Sequence, residues 1–143
     1  KDTYYLYAQI ILIAALLYFG SFTNIFNSGI LTLIFTIGIS ITLWAFYNMG
    51  LDTFSPFPLP KKGGKHTQVG IYKYIRHPMY TGIALTSLSL LLSGANFPTF
   101  VFFAILVYVL DSKATLEEKY LSKIYPTYIN YAKNTKKFIP FIY

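Results

Sequence analysis

The sequence predicts an all-α integral membrane protein: four transmembrane helices, the last two a short helical hairpin, followed by a cytoplasmic C-terminal helical segment. Three observations predict it. The chain of 143 residues is 55% hydrophobic and only 12% charged, whereas soluble domains run near a quarter charged. No Asp, Glu, Lys or Arg occurs in residues 3–51, nor again in residues 77–110. Each charge-free stretch is broken once by turn-forming residues: Asn24, Asn27, Ser28 and Gly29 in the first, and Ser93-Gly94-Ala95-Asn96-Phe97-Pro98 in the second.

A helix needs roughly 20 apolar residues to cross a bilayer core about 30 Å thick. Tyr4–Phe22 and Ile30–Tyr47 meet that length. Pro78–Leu92 and Pro98–Leu110 are shorter and fit a hairpin packed against the first pair, or a locally thinned bilayer. A soluble protein with unusually apolar core helices is the competing reading. Such helices carry a polar outer stripe, and the first two segments show only scattered Thr, Ser, Gln and Tyr. The chain does not begin with Met. Tyr4–Phe22 is longer and more aromatic than a cleaved signal segment, and no small-residue cleavage site follows it. One membrane-embedded domain is expected: spans one and two in residues 1–50, a polar loop in 51–78, the hairpin in 79–110 and a C-terminal segment in 111–143.

The basic residues orient this arrangement. Lys61, Lys62, Lys65, Lys73 and Arg76 lie between spans two and three, and Lys113, Lys119, Lys123, Lys133, Lys136 and Lys137 follow span four. With Lys1, all twelve fall on one side of a four-span protein, so both termini and the loop should face the cytoplasm. The net charge of +7 is explained by this topology and by anionic lipid; nucleic acid is not an expected partner. The absence of Cys excludes a disulfide framework, a thiolate nucleophile and Cys-ligated metal. Two His are too few for an ordinary structural zinc site, and no metal is expected.

Reactive groups concentrate in two segments. The loop begins Phe54-Ser55-Pro56-Phe57-Pro58-Leu59-Pro60, stiffened by its prolines. It continues as a basic, glycine-containing stretch and ends Gly70-Ile71-Tyr72-Lys73-Tyr74-Ile75-Arg76-His77-Pro78-Met79-Tyr80-Thr81-Gly82. Pro78 suits the first turn of span three. Arg76 and His77 beside that helix start favour an anionic group. Gly82 and Ala84 permit close approach of another helix or a ligand. In the C-terminal segment, Lys113 and Glu117 are spaced i,i+4, the spacing of a helix-stabilising ion pair. Tyr120, Tyr125, Tyr128 and Tyr131 among lysines fit an amphipathic interfacial helix.

The string from Gly70 to Gly82 resembles the signature of a membrane methyltransferase superfamily that contains the isoprenylcysteine carboxyl methyltransferases and the phospholipid N-methyltransferases. Its pattern is roughly G-x-Y-x-x-x-R-H-P-x-Y-x-G before a helical hairpin, then a Glu pair and an aromatic tail ending near a Pro. Here the pair is Glu117-Glu118, and the tail carries Tyr125, Tyr128, Tyr131 and Pro140. The resemblance covers about residues 45–143. It implies S-adenosylmethionine as the methyl donor and a lipophilic methyl acceptor, either a prenylated carboxylate or a phospholipid-type amine, entering from the bilayer. It also implies cofactor contacts from His66, Thr67, Gln68, Val69, Gly70, Tyr72, His77, Pro78, Tyr80, Gly82 and Glu117. Arg76, His77 and Glu118 are the implied catalytic residues. Lys113 lies where the carboxyl methyltransferases carry an Arg that faces the acceptor, although Lys cannot form the two-pronged contact of Arg with a carboxylate.

The residue chemistry agrees with such a cofactor. Glu117 or Glu118 suits its ammonium. His77, Arg76 and backbone N–H groups near Pro78 suit its carboxylate. Tyr72 or Tyr80 suits adenine or the cationic sulfur. Two other readings stand beside this one: an NADPH-dependent membrane reductase of sterol-reductase type, against which Ile83 counts because that family usually carries an acid directly after the Y-x-G, and a non-enzymatic membrane scaffold in which Arg76-His77-Pro78 is only an interfacial turn.

Overall fold

The computed structural model describes residues 2–143; its regular structure is helical, with no strands among the described residues. Its helices are α1 (Tyr4–Phe19), α2 (Phe22–Asn27), α3 (Gly29–Met49), α4 (Pro78–Ser93), α5 (Phe97–Ile124) and α6 (Tyr128–Asn134), with a 3-10 turn at Gly70–Lys73. Local chemistry sets most of these boundaries. The Ser21 hydroxyl accepts from Asn24 N–H to start α2, and the Ser28 hydroxyl accepts from Leu31 N–H to start α3. Pro78 opens α4. Asn96 and Thr99 form a reciprocal capping box at the head of α5, with both side chain to backbone bonds at 3.0 Å.

Three expectations need correction. The break around Asn24 is not an open turn but a short helix, α2, capped by Ser21. The fourth apolar segment ends near Leu110, but the helix that carries it does not; α5 continues unbroken to Ile124. Asp111, Lys113, Glu117 and Glu118 are compatible with helix, so the loss of hydropathy there marks the end of the apolar stretch and not of the helix. The tail is not one long amphipathic helix either. Pro126 interrupts it, and α6 is only seven residues long.

The core is built from Leu12 and Leu16 of α1, Ile25 of α2, Leu90 of α4 and Leu106, Val109 and Leu110 of α5. The outer faces are apolar too: Ile11, Tyr18, Ile30, Leu43, Phe100 and Tyr108 are all exposed. Helices α3 and α5 are long and apolar enough to cross a membrane, and only 17% and 33% of their most apolar stretches are buried within the chain. A soluble core helix buries its apolar residues; these present them outward, as a lipid-facing surface does. Helices α1 and α4 are apolar but shorter.

Helices α3 and α4 pack through small residues. A methyl group built on Gly82 would lie 2.1 Å from Thr42 Oγ1 and 2.6 Å from the Gly38 carbonyl oxygen. The relation is nearly reciprocal, since one on Gly38 would lie 2.4 Å from Thr86 Oγ1. Each threonine donates back to the glycine carbonyl four residues earlier on its own helix, at 2.9 Å. The approach expected at Gly82 is therefore that of another helix. At one end of the bundle the two short connections meet: Ser21 N–H donates to Ser93 Oγ at 2.9 Å, and Asn24 Nδ2 donates to the Ser93 carbonyl at 2.8 Å.

Candidate active site

The Gly70–Gly82 loop, α5 and the tail converge on one another. Gly70 has φ +61, and a methyl there would lie 2.3 Å from Asn48 Oδ1. Glycine therefore allows the sharp entry by which Asn48, at the end of α3, accepts from Ile71 N–H at 3.2 Å. The tail then runs parallel to the loop in a single bridge between Ile75 and Lys136. Arg76 and His77 N–H donate to the Lys136 and Lys137 carbonyls at 2.8 and 3.1 Å. Those N–H groups are consumed by the tail and are not free for a carboxylate.

Four charged or chargeable groups meet next to this bridge. Arg76 Nε lies 2.7 Å and His77 Nε2 2.9 Å from the same oxygen of Glu118. His77 Nδ1 lies 3.5 Å from Glu117 Oε2. The Tyr80 hydroxyl donates to Glu117 Oε1, and its ring stacks parallel to His77 with centroids 5.6 Å apart. Arg76 Nη1 also donates to the Ala132 and Thr135 carbonyls at 2.9 and 2.6 Å. Burial by itself would lower the His77 pKa, but hydrogen bonds and charge from both glutamates outweigh it and raise it. Two glutamates thus face Arg76 and a histidine whose protonated form they favour.

Beside this network lies a cavity of about 360 Å³, in the range of small-molecule sites. Of the cofactor residues expected from sequence, His66, Thr67, Tyr72, His77, Tyr80 and Glu117 line it, as do Arg76 and Lys113. Gln68, Val69, Gly70, Pro78 and Gly82 do not: Gly70 and Gly82 face α3, and Pro78 starts α4. Glu118 borders a separate shallow groove and acts on the cavity through Arg76 and His77.

The polar wall has an unmet requirement. His66 Nε2 and Thr67 Oγ1 are buried and have no hydrogen-bond partner. Burial lowers the His66 pKa, so the ring is neutral near pH 7. Its Nδ1 faces the Gln68 amide nitrogen at 3.1 Å and accepts from it, which assigns the proton to Nε2. The His66 ring packs among Tyr125, Tyr128 and Tyr131, with centroid distances of 5.5, 5.0 and 4.7 Å. Tyr131 donates to the Tyr72 carbonyl at 2.6 Å, and Tyr125 donates to that of Gly64 at 2.8 Å. Burial raises the Tyr72, Tyr128 and Tyr131 phenols above their ordinary range, so they remain neutral. Sequence reasoning placed these tail tyrosines at a lipid interface; their role as cavity wall depends on the fold of the tail onto the loop. It also missed Asn48 and Gln9, which carry no local motif.

A family model described as phospholipid methyltransferase matches residues 26–128. Among curated proteins, the chain is similar to protein-S-isoprenylcysteine O-methyltransferase of Schizosaccharomyces pombe, at 32% identity over 95 residues, covering 64% of this chain and 40% of that protein. The chain thus spans about two fifths of the length of this relative. No solved structure matches it.

Proposed function

The chain belongs to the phospholipid methyltransferase family, and from that premise we propose that it is an integral-membrane, S-adenosylmethionine-dependent methyltransferase acting on a lipophilic acceptor, with a prenylated carboxylate or a phospholipid-type amine as the acceptor classes. One observation carries the reading: a single cavity wall brings Glu117, the unsatisfied His66 and Thr67 and the rings of Tyr72, Tyr128 and Tyr131 together. That donor set fits a nucleoside bearing an ammonium. Glu117 would take the ammonium, the tyrosine faces the adenine, and His66 Nε2–H and Thr67 Oγ1 the polar atoms of the nucleoside. Bound there, the cofactor would supply a methyl group on a sulfonium.

The chain's own contribution is placement, since in-line transfer depends mainly on alignment of the two reactants. Arg76 and Glu118 are positioning residues: they tie the tail and His77 to α5 and so hold Glu117 and Tyr80 at the wall. A carboxylate acceptor needs no base. An amine acceptor must first lose a proton. His77, held toward its protonated form, is poorly suited to accept it.

The topology follows the same reading. Helices α1, α3, α4 and α5 cross the bilayer, with the joined short connections on one side and the loop, tail and both termini on the cytoplasmic side. Helices α1 and α4, of 16 residues each, reach about 24 Å and require modest local thinning of the membrane.

Calorimetric titration of detergent-solubilised protein with S-adenosylhomocysteine and, separately, NADPH tests the proposal. Saturable binding of the first alone is expected, weakened roughly tenfold or more in Glu117→Ala and in His77→Ala. Binding of NADPH in its place, or unchanged affinity in both variants, would overturn it. Labelled methyl donor with a total lipid extract would then identify the acceptor.

A further inference from the structure

Two lysines are buried among the described residues. Lys113, spaced for an ion pair with Glu117, donates instead to Gln9 Oε1 of α1 at 2.9 Å and lines the cavity. Lys137 lies outside the cavity and ties the tail down. Its Nζ reaches Asp111 Oδ1 at 2.6 Å and Thr115 Oγ1 at 2.8 Å, both on α5. The next residue is fixed to α4, where Thr81 Oγ1 donates to the Phe138 carbonyl at 2.7 Å. The Tyr143 hydroxyl donates back to Asp111 Oδ1 at 3.2 Å. Asp111 is the first charged residue after the charge-free residues 77–110, and Thr81 stands in the first turn of α4. Residues 138–143 are thus held at the level where both helices meet the end of the apolar stretch.

There the segment closes on itself. Phe138 and Ile139 N–H both donate to the Tyr143 carbonyl at 2.7 Å, and Ile142 and Tyr143 N–H both donate to the Ile139 carbonyl at 3.1 Å. Pro140 has no N–H to satisfy. A backbone paired within its own turn is what an element needs to enter a layer poor in water. The side chains point to such a layer as well. Turns that face water ordinarily carry Gly, Asn, Asp or Ser; this one presents Ile139, Phe141 and Ile142, all exposed, with Phe141 at 84%. Phe141 also has φ +65, in the left-handed region that glycine enters at least cost. A large ring therefore stands at the tip in spite of its backbone. The surrounding charge is of one sign, since residues 119–143 hold five lysines and no acid, and Lys133 and Lys136 are exposed.

We propose that the turn 138–143 is an anchor for an anionic lipid leaflet, with Phe141 and Ile142 set among the headgroups and Lys133 and Lys136 against their phosphates, and that this anchorage holds the tail on the charged junction. An apolar tip flanked by cations is the pattern of an interfacial anchor. A bilayer is the partner because the knob sits at the edge of the apolar outer surface of α5, where Phe100 and Tyr108 are exposed. The coupling to the site runs directly along the chain. The Lys136 and Lys137 carbonyls that accept from Arg76 and His77 N–H come immediately before the knob, and the Thr135 carbonyl that accepts from Arg76 Nη1 precedes them. Lifting the knob out of lipid therefore loosens the segment that ties Arg76 and His77 in place. The proposal rests on the bilayer crossing argued above and on no particular methyl acceptor; it makes closure of the site depend on the membrane surface.

Fluorescence and trypsin test it in nanodiscs of phosphatidylcholine, alone or mixed with phosphatidylserine. Trp44, the one tryptophan of the chain, is exposed on α3 and reports the bilayer crossing. In Trp44→Phe/Phe141→Trp the reporter moves to the knob. Lipid brominated in the upper acyl chain should quench both reporters, and phosphatidylserine should deepen the quenching at position 141 alone. In mixed-lipid nanodiscs, trypsin should cut after Lys133 and Lys136 roughly fivefold faster in Phe141→Ser/Ile142→Ser than in native protein, and S-adenosylhomocysteine should bind the variant about fivefold more weakly. Both substitutions fall on exposed side chains, so the bundle itself should keep its melting temperature. Quenching at Trp44 without quenching at position 141 overturns the proposal, as do equal quenching at position 141 in both lipids and equal trypsin rates. A position 141 that bromine does not quench but that is shielded from acrylamide would assign the knob to a second copy of the chain instead. Absence of quenching at Trp44 removes the bilayer crossing and the anchor with it. Native protein that shows the expected quenching and trypsin rates but binds no S-adenosylhomocysteine sinks the methyltransferase reading alone.

Discussion

In the second turn of α4, Gly82 lies against Gly38 and Thr42 with no room for a methyl group. A few residues earlier, at the entry to the same helix, Arg76 and His77 are held by Glu118, by Glu117 and by the tail. The first region joins helices by shape, with each threonine hydroxyl satisfied on its own helix. The second joins them by charge and hydrogen bonds between residues 41 to 59 positions apart. The contrast shows what each surrounding demands. Between apolar helices close approach is the main source of attraction. Where buried polar chain must leave the bundle, every donor and charge has to find a partner within the protein.

The largest effect should come from breaking the charged junction. Arg76 and Glu118 side chains are only 13% and 22% exposed, so solvent screens them little. Arg76→Met leaves two carbonyls without this donor and Glu118 with His77 alone, and should cost about 3 kcal/mol. A lower melting temperature and faster proteolysis after residue 134 would register it; an unchanged tail would show that the ion pair is incidental.

The seam should respond next. Gly82→Ala forces a methyl against the Gly38 carbonyl as well as Thr42 Oγ1, at a cost of about 1–3 kcal/mol. Adding Thr42→Ala removes only the hydroxyl clash, so the double variant should recover part of the stability. Full recovery in thermal melts would mean that the backbones can separate and that shape is not what joins these helices.

Tyr131→Phe is a smaller and more local probe. It deletes the bond to the Tyr72 carbonyl while leaving the ring against His66, and about 1 kcal/mol of stability should be lost. A loss several times larger would mean that the tail closes on that one bond.

The smallest and most specific effect is one of pH. His77 titrates above its ordinary value of 6.5 in the folded protein. Its contribution is therefore complete below that value and disappears as pH rises through the raised folded pKa. The difference in melting temperature between native protein and His77→Gln should shrink from pH 6 toward alkaline pH. A difference that grows would reverse the sign assigned to the imidazole.

The two regions also differ in how far they can be read from sequence. Gly82, Pro78 and the apolar segments announce themselves because their signals are local: a missing side chain, a fixed φ and a run without charge. The Arg-His-Pro string and the Glu pair are visible as motifs, and the structure brings them into contact. What each contact does is not visible. Arg76 looks like a ligand group in sequence; the structure gives its Nε to Glu118 and its Nη1 to the Ala132 and Thr135 carbonyls. Lys113 and Glu117 have the spacing of an ion pair, yet each finds its partner on another helix. The continuation of α5 was obscured because hydropathy falls where helical geometry does not.

That continuity has a mechanical consequence. Lys113 and Glu117 stand on one unbroken rod of 28 residues, separated by about 6 Å of rise. Any tilt of α5 that withdraws the carboxylate from His77 carries the ammonium with it. The two parts of the cavity wall are thus geared together: a swing of this helix displaces both at once.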